Sequence, residues 1–245
     1  MVSIKNKWNI RCLGDHALVF SLPALMDMQI TFQIQALSQF VRNKSYEFSK
    51  DLIPAYHTLT LIYDIEKCFT FLQENNFTLL SWAHILLDDF ENNSINESHF
   101  TTKKSIQIPV CYEAIFGIDL ENIKTKKNIS IAEIIKLHSE KIYTVYCLGF
   151  LPGFTYMGIV DEKITYPRHP KPRANVSAGS VGIAGAQTGI YPKNSPGGWQ
   201  IIGRTPLQIF DSAPHKLSLL KAGDQVQFYP ISLDEFYAIN QHETK

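Results

Sequence analysis

Gly179-Ser180-Val181-Gly182-Ile183-Ala184-Gly185, followed closely by Trp199-Gln200-Ile201-Ile202, decides the fold class. Each is a short apolar run bounded by glycine or proline. Runs this short suit strands rather than helices. The same alternation of short runs and Gly/Pro turns extends from Gly149 to Asp211. Many short strands with turns at close spacing point to an all-β barrel or sandwich. Glycines three residues apart, as at Gly179, Gly182 and Gly185, let a barrel bend or a neighbouring backbone come close.

The surroundings of this stretch are uneven in composition. Ten of the 13 glycines lie from Gly149 to Gly203, and seven of the 12 prolines from Pro152 to Pro206. Between residues 149 and 206 Lys163, Arg168, Lys171, Arg173, Lys193 and Arg204 stand against Asp161 and Glu162, a net of +4. The whole chain has 23 Lys+Arg and 23 Asp+Glu, so the remainder carries −4. A basic, glycine-rich surface suits a carboxylate or a phosphate; the alternative is a set of scattered, solvated charges.

Several classes are excluded. Zero formal charge argues against a basic nucleic-acid binder and against an acidic disordered tail. At 245 residues with 45% hydrophobic residues, the chain can bury a sizeable core. No apolar run is long enough to span a membrane, and Met1 to Arg11 holds no signal-like apolar segment, so a cytoplasmic protein is expected. Cys12, Cys68, Cys111 and Cys147 are spread singly and read as reduced thiols, and with the histidines equally dispersed no metal site is expected.

The N-terminal part reads differently. Ser3 to Cys12 and Ala17 to Leu22 alternate as strands around Gly14-Asp15-His16. Ile30, Ile34, Leu37 and Val41 mark one face of a helix. Lys50 to Pro54 and Thr58 to Tyr63 are further strands, and Glu66 to Glu74 and Leu79 to Phe90 further helices. Asp88 to Ser98 is acidic and Asn-rich, the best linker. The expected class is therefore α+β: a small N-terminal α/β domain over 1–98 and a β-rich domain over 99–245. The second opens with a strand at Ser105 to Tyr112, then helices at Asp119 to Lys126 and after Ser130, where Ser130 and Glu133 form a capping box, then a strand at Tyr143 to Leu148.

The glycine stretch lacks the Gly-Lys-Ser/Thr of a P-loop, the G-x-G-x-x-G spacing and the G-x-S-x-G elbow. Ser195-Pro196-Gly197-Gly198-Trp199 reads as a tight turn whose N–H groups could cup an anion beside a flat indole, or as a plain hairpin. Pro167-Arg168-His169-Pro170-Lys171-Pro172-Arg173 is a proline-stiffened basic segment in which Arg168 and Arg173 could grip a carboxylate or phosphate. Gly203-Arg204-Thr205-Pro206 adds an arginine after a strand. His138 reads either as a buried, satisfied histidine or as a catalytic base.

Taken in order, Gly149 to Gly158, Pro167-Arg168, Pro172-Arg173, Ala178 to Gly185, Gln187 to Pro192, Ser195 to Trp199 and Ile202 to Pro206 form a signature. It resembles the KipI family, also called allophanate hydrolase subunit 1 or the 5-oxoprolinase B-subunit (PxpB). Weaker matches at Gly14-Asp15, Tyr63-Asp64, Ile108 to Tyr112, Asp119-Leu120 and Leu137 to Ser139 extend it over nearly the whole chain. Ile118 and Ser177 stand where the family often has proline. The resemblance implies a C-terminal cyclophilin-like β-barrel and an ATP-dependent 5-oxoprolinase, with ATP and magnesium bound by the complex. It implies as partners the companion subunit KipA (PxpC, allophanate hydrolase subunit 2) and a third subunit, PxpA. The same family implies two alternatives: an inhibitor that binds a sensor histidine kinase, and a carboxyltransferase-like component of urea metabolism. In the first reading Arg204 and His138 are the expected catalytic residues. Arg168, Arg173, Gln187, Tyr191, Gly197, Gly198 and Trp199 are the expected substrate contacts.

Overall fold

The apolar stripe Ile30, Ile34, Leu37 and Val41 is fully buried on helix α1 (Met28–Lys44). Asp27 caps that helix by accepting from the Gln29 and Ile30 N–H groups at 2.7 and 3.2 Å. Ser45 ends it in the left-handed conformation. In this computed structural model, residues 8–93, 105–213 and 217–243 are described. The chain divides into two compact units, residues 1–102 and 103–245. The boundary expected near residue 99 falls in 94–104, outside the described residues.

The strands of the first unit are β1 (Asn9–Cys12), β2 (Ala17–Ser21), β3 (Ser49–Ala55) and β4 (Thr58–Tyr63). They form an antiparallel sheet in the order β1-β2-β4-β3. Helices α1, α2 (Ile65–Glu74) and α3 (Leu79–Asn93) complete the unit. Leu18, Phe20, Leu59 and Leu61 form one apolar core with the α1 stripe and with Trp82, Leu86 and Phe90 of α3. Of the linker expected from Asp88 to Ser98, Ser94 to Ser98 lie outside the described residues. Asp88 to Asn93 are helical, because Leu87 and Phe90 are buried and Asp89 pairs with Lys44 of α1.

Seven strands of the second unit are β5 (Ile106–Cys111), β6 (Ile142–Leu148), β7 (Thr155–Gly158), β9 (Ser180–Ala184), β10 (Gln187–Ile190), β12 (Gln200–Arg204) and β13 (Gln225–Ile231). They close into a barrel in the order β10-β7-β6-β13-β5-β12-β9. A short pair, β8 (Arg173–Val176) with β11 (Ser195–Gly197), stands apart from it. Helices α4 (Leu120–Lys127), α5 (Ile131–Ser139) and α6 (Leu233–Glu243) flank the strands. The expected α+β class with a barrel is the observed one. The opening stretch is β9, flanked by Gly179 and Gly185, both at positive φ. A β-carbon on Gly179 would collide with the Thr205 carbonyl, so glycine lets that turn lie against the end of β12. Ile108, Val145, Met157, Val181, Ile183, Ile190, Ile202 and Val226 fill the interior.

Ser130 caps α5 by accepting from the Glu133 N–H at 3.1 Å. The other half of the expected capping box is replaced, since Glu133 pairs with Lys163 at 3.2 Å. Ser130→Ala is expected to cost about 1 kcal/mol, read from urea unfolding.

Candidate functional site

The basic segment is pinned from both sides. The His169 N–H donates to the Gly198 carbonyl at 2.7 Å, and Gln200 Nε2 donates to the Pro167 carbonyl at 2.9 Å. Arg173 then begins β8 and pairs opposite Gly197. Asp119, just before α4, locks the arrangement. Its buried Oδ1 accepts from Arg173 Nη2 at 2.5 Å, and Oδ2 accepts from the Ile201 N–H at 2.6 Å. His169 Nε2 lies 3.3 Å from the same Oδ1, within ion-pair range but outside hydrogen-bond geometry.

Four buried polar atoms here have no hydrogen-bond partner among the described residues: Arg173 Nη1, His169 Nε2, Ser195 Oγ and Gln200 Oε1. Buried polar groups are normally satisfied, so such a group marks a place that water or a bound molecule completes. Beneath it lies an aromatic cluster. Phe154 meets Tyr191 at 5.1 Å and Trp199 at 5.3 Å, edge to face, and Tyr156 meets Trp199 at 5.9 Å. Arg168 is exposed at the rim, its Nε 3.8 Å from where a Gly198 β-carbon would stand.

The expected site residues separate into groups. Arg168, Arg173, Gly197 and Gly198 come together with Asp119 and His169. Tyr191 and Trp199 lie below them as packed walls, at 1% and 7% exposure, and burial pushes the Tyr191 hydroxyl up. The tight anion-cupping turn expected at Ser195 to Trp199 is not formed. Ser195–Gly197 is strand β11, and Gly197 packs so closely on the Tyr191 ring that a β-carbon has no room. Gln187 stands at the start of β10, opposite Gly158 and Ala184.

His138 is not with the arginines. It is fully buried, with Nδ1 2.8 Å from the Tyr112 hydroxyl, Nε2 2.9 Å from Thr188 Oγ1, and the ring stacked 4.6 Å from Phe228. Burial lowers its pKa to about 3. Both nitrogens are engaged inside the protein, away from the arginines, which favours the buried, satisfied reading of this histidine over the catalytic one.

Arg204 ends β12 at a separate spot. Its Nε donates to the Ala178 carbonyl at 2.7 Å. The guanidinium carbon sits 5.6 Å from the Phe116 ring centroid and 5.9 Å from that of Phe236. Among the described residues no group of three or more His, Cys, Asp or Glu side chains could hold a metal. No described helix is long and apolar enough to cross a membrane.

Asp119 carries little signal in the sequence. As the acidic residue before a helix it looks like an N-cap, yet its side chain makes no capping bond and turns to β12 instead. Its hint in the sequence is the weak family match at Asp119-Leu120.

The second unit is thus a closed barrel that carries arginines at two separate places. The family described as "Carboxyltransferase domain, subdomain C and D" matches residues 8–220. The chain is 35% identical to the 5-oxoprolinase B-subunit of Bacillus subtilis, over 96% of this chain and 98% of that protein. The chain belongs to the 5-oxoprolinase B-subunit family. The crystal structure of TTHA0988 superposes with a TM-score of 0.74 at 27% identity, covering 91% of this chain and 41% of that one. This chain thus spans about two-fifths of that longer protein. Urea amidolyase of Kluyveromyces lactis shares the fold, with a TM-score of 0.70 at 20% identity over 96% of this chain and 15% of that one.

Proposed function

We propose that this chain is the B-subunit of an ATP-dependent 5-oxoprolinase, which opens the lactam of 5-oxoproline to L-glutamate as ATP becomes ADP and phosphate. The observation that carries this reading is the end-to-end match to a protein named as the 5-oxoprolinase B-subunit. The site chemistry supports it. A lactam carbonyl is a poor electrophile. Phosphorylating its oxygen activates the carbon; one water adds there and the C–N bond breaks, the nitrogen taking a proton, to leave an acyl phosphate, and a second water then displaces phosphate to give glutamate. Negative charge builds on the phosphoryl and carbonyl oxygens, and preorganised cations stabilise it. Arg168, in the basic segment, is the arginine there that no described carboxylate neutralises and is our candidate for that charge.

No nucleotide loop is present in the sequence, so ATP and its magnesium are assigned to the assembled complex, and no step runs through a metal on this chain. The partners in this reading are a companion subunit of the allophanate hydrolase subunit 2 type and a third subunit. The test is reconstitution from separately purified subunits. Glutamate formation is expected only when this chain is present. Undiminished glutamate formation by the partners without it would overturn the reading.

A further inference from the structure

Between the end of β12 and the inner face of α6 lies a cavity of about 300 Å³. Its walls include Phe116, Pro192, Arg204, Gln208, Phe236 and Tyr237. The size is at the lower end of small-molecule sites. Arg204 is its one charged lining residue. The bond from Nε to the Ala178 carbonyl fixes the stem, and the terminal nitrogens have no hydrogen-bond partner among the described residues. The Phe116 and Phe236 rings pack on each other, centroids 4.4 Å apart, and form one apolar wall on the same side of the guanidinium.

The charge balance of this spot is unusual. Arg173 has Asp119 as its counter-ion. Arg204 has no carboxylate within ion-pair distance among the residues whose side chains are described, and it is partly withdrawn from water. Burial lowers its pKa from the ordinary arginine value, and the neighbouring Tyr237 only partly opposes this. Desolvating a cation is costly unless an anion compensates it. A guanidinium fork matches one carboxylate in bidentate fashion. The aromatic walls would cover an apolar body and would disfavour a multiply charged phosphate.

We infer that this cavity binds a small monovalent carboxylate with a compact apolar body, Arg204 taking the carboxylate and the packed Phe116–Phe236 pair forming the wall against which the ring lies. The ligand class follows from the cavity alone. Naming 5-oxoproline, a carboxylate on a small lactam ring, rests on the function proposed above. Helix α6 is then a specificity element, because it supplies Phe236 and Tyr237 and lies beyond residue 220, where the family match ends.

The test titrates the full chain with 5-oxoproline, benzoate and acetate, following the Arg204 Nε–H signal by NMR. Saturable shifts are expected for the two ring carboxylates at lower concentration than for acetate. Arg204→Gln and Phe236→Ala are followed on ring and backbone signals of the cavity, with folding checked by circular dichroism. Arg204→Gln is expected to raise Kd about tenfold or more, and Phe236→Ala to raise it for ring carboxylates but not for acetate. Lys163→Ala, which removes the same charge elsewhere, is expected to leave Kd unchanged. Absence of a saturable shift, or a Kd unaffected by Arg204→Gln, overturns the inference. So does loss of subunit association in Arg204→Gln without loss of ligand affinity, which would place a partner's carboxylate in the cavity. The two readings fail separately. Benzoate binding without 5-oxoproline-dependent turnover in the complex removes the proposed function and keeps the cavity. Turnover unchanged by Arg204→Gln does the reverse.

Discussion

Asp119→Ala is expected to lower stability by about 3 kcal/mol, equivalent to roughly 9 °C in Tm. Asp119 is 4% exposed and its carboxylate accepts from two groups at once, Arg173 and the Ile201 N–H. Its removal leaves the Ile201 N–H without an acceptor in the barrel wall and Arg173 without a counter-ion. A cation that loses its buried partner costs about 3–5 kcal/mol. The lower end applies because the Arg173 side chain is 30% exposed and can turn toward water. Asp119→Asn keeps an acceptor for Ile201 and loses only the charge, so a smaller loss is expected. Thermal unfolding of both variants is the measurement. A loss below about 1 kcal/mol for the alanine variant would mean that the carboxylate is not what ties the basic segment to β12.

The second large effect is one of pH. Lowering the pH from 7 to 5 is expected to destabilise the protein by about 2 kcal/mol through His138 alone. In the folded state burial holds its pKa at about 3, against 6.5 when exposed. Between those values the unfolded chain binds the proton and the folded chain does not, so stability is full above about pH 6.5 and falls as the pH drops toward 3. Each unit within that window costs about 1.4 kcal/mol. His138→Gln is expected to lower stability at pH 7, since it disturbs the contacts with Tyr112 and Thr188. It is also expected to flatten the slope between pH 6.5 and 5. An equal slope in the variant would show that the acid sensitivity arises elsewhere.

These effects also mark what was legible in the sequence. Local signals were strong where one element satisfies itself. The helical spacing of Ile30 to Val41, the cap at Ser130 and the turn glycines at Gly179 and Gly185 each state their role within a few residues. Signals were weak where a residue's role is set across the chain. Asp119 and Ile201 meet only when the barrel closes. Ser195 to Trp199 has turn chemistry by composition, but pairing with Arg173–Val176 makes part of it a strand. His138 has catalytic potential as a residue type, and its role is decided by Thr188, Tyr112 and Phe228 arriving from three other strands or their ends. Nothing local in Gln225–Ile231 announces that it runs parallel to β5. The Arg204 cavity needs α6, which no motif in the glycine-rich window foretells. Arg204 itself was visible; the walls that give it a ligand class were not.

The most direct measurement is ATP hydrolysis by the complex of this chain with the two partner subunits proposed above, with and without 5-oxoproline. The expected result is phosphate release that depends on 5-oxoproline and is matched by glutamate formed. The contradicting result is an intact complex that hydrolyses ATP at the same rate whether or not 5-oxoproline is present, with no glutamate produced.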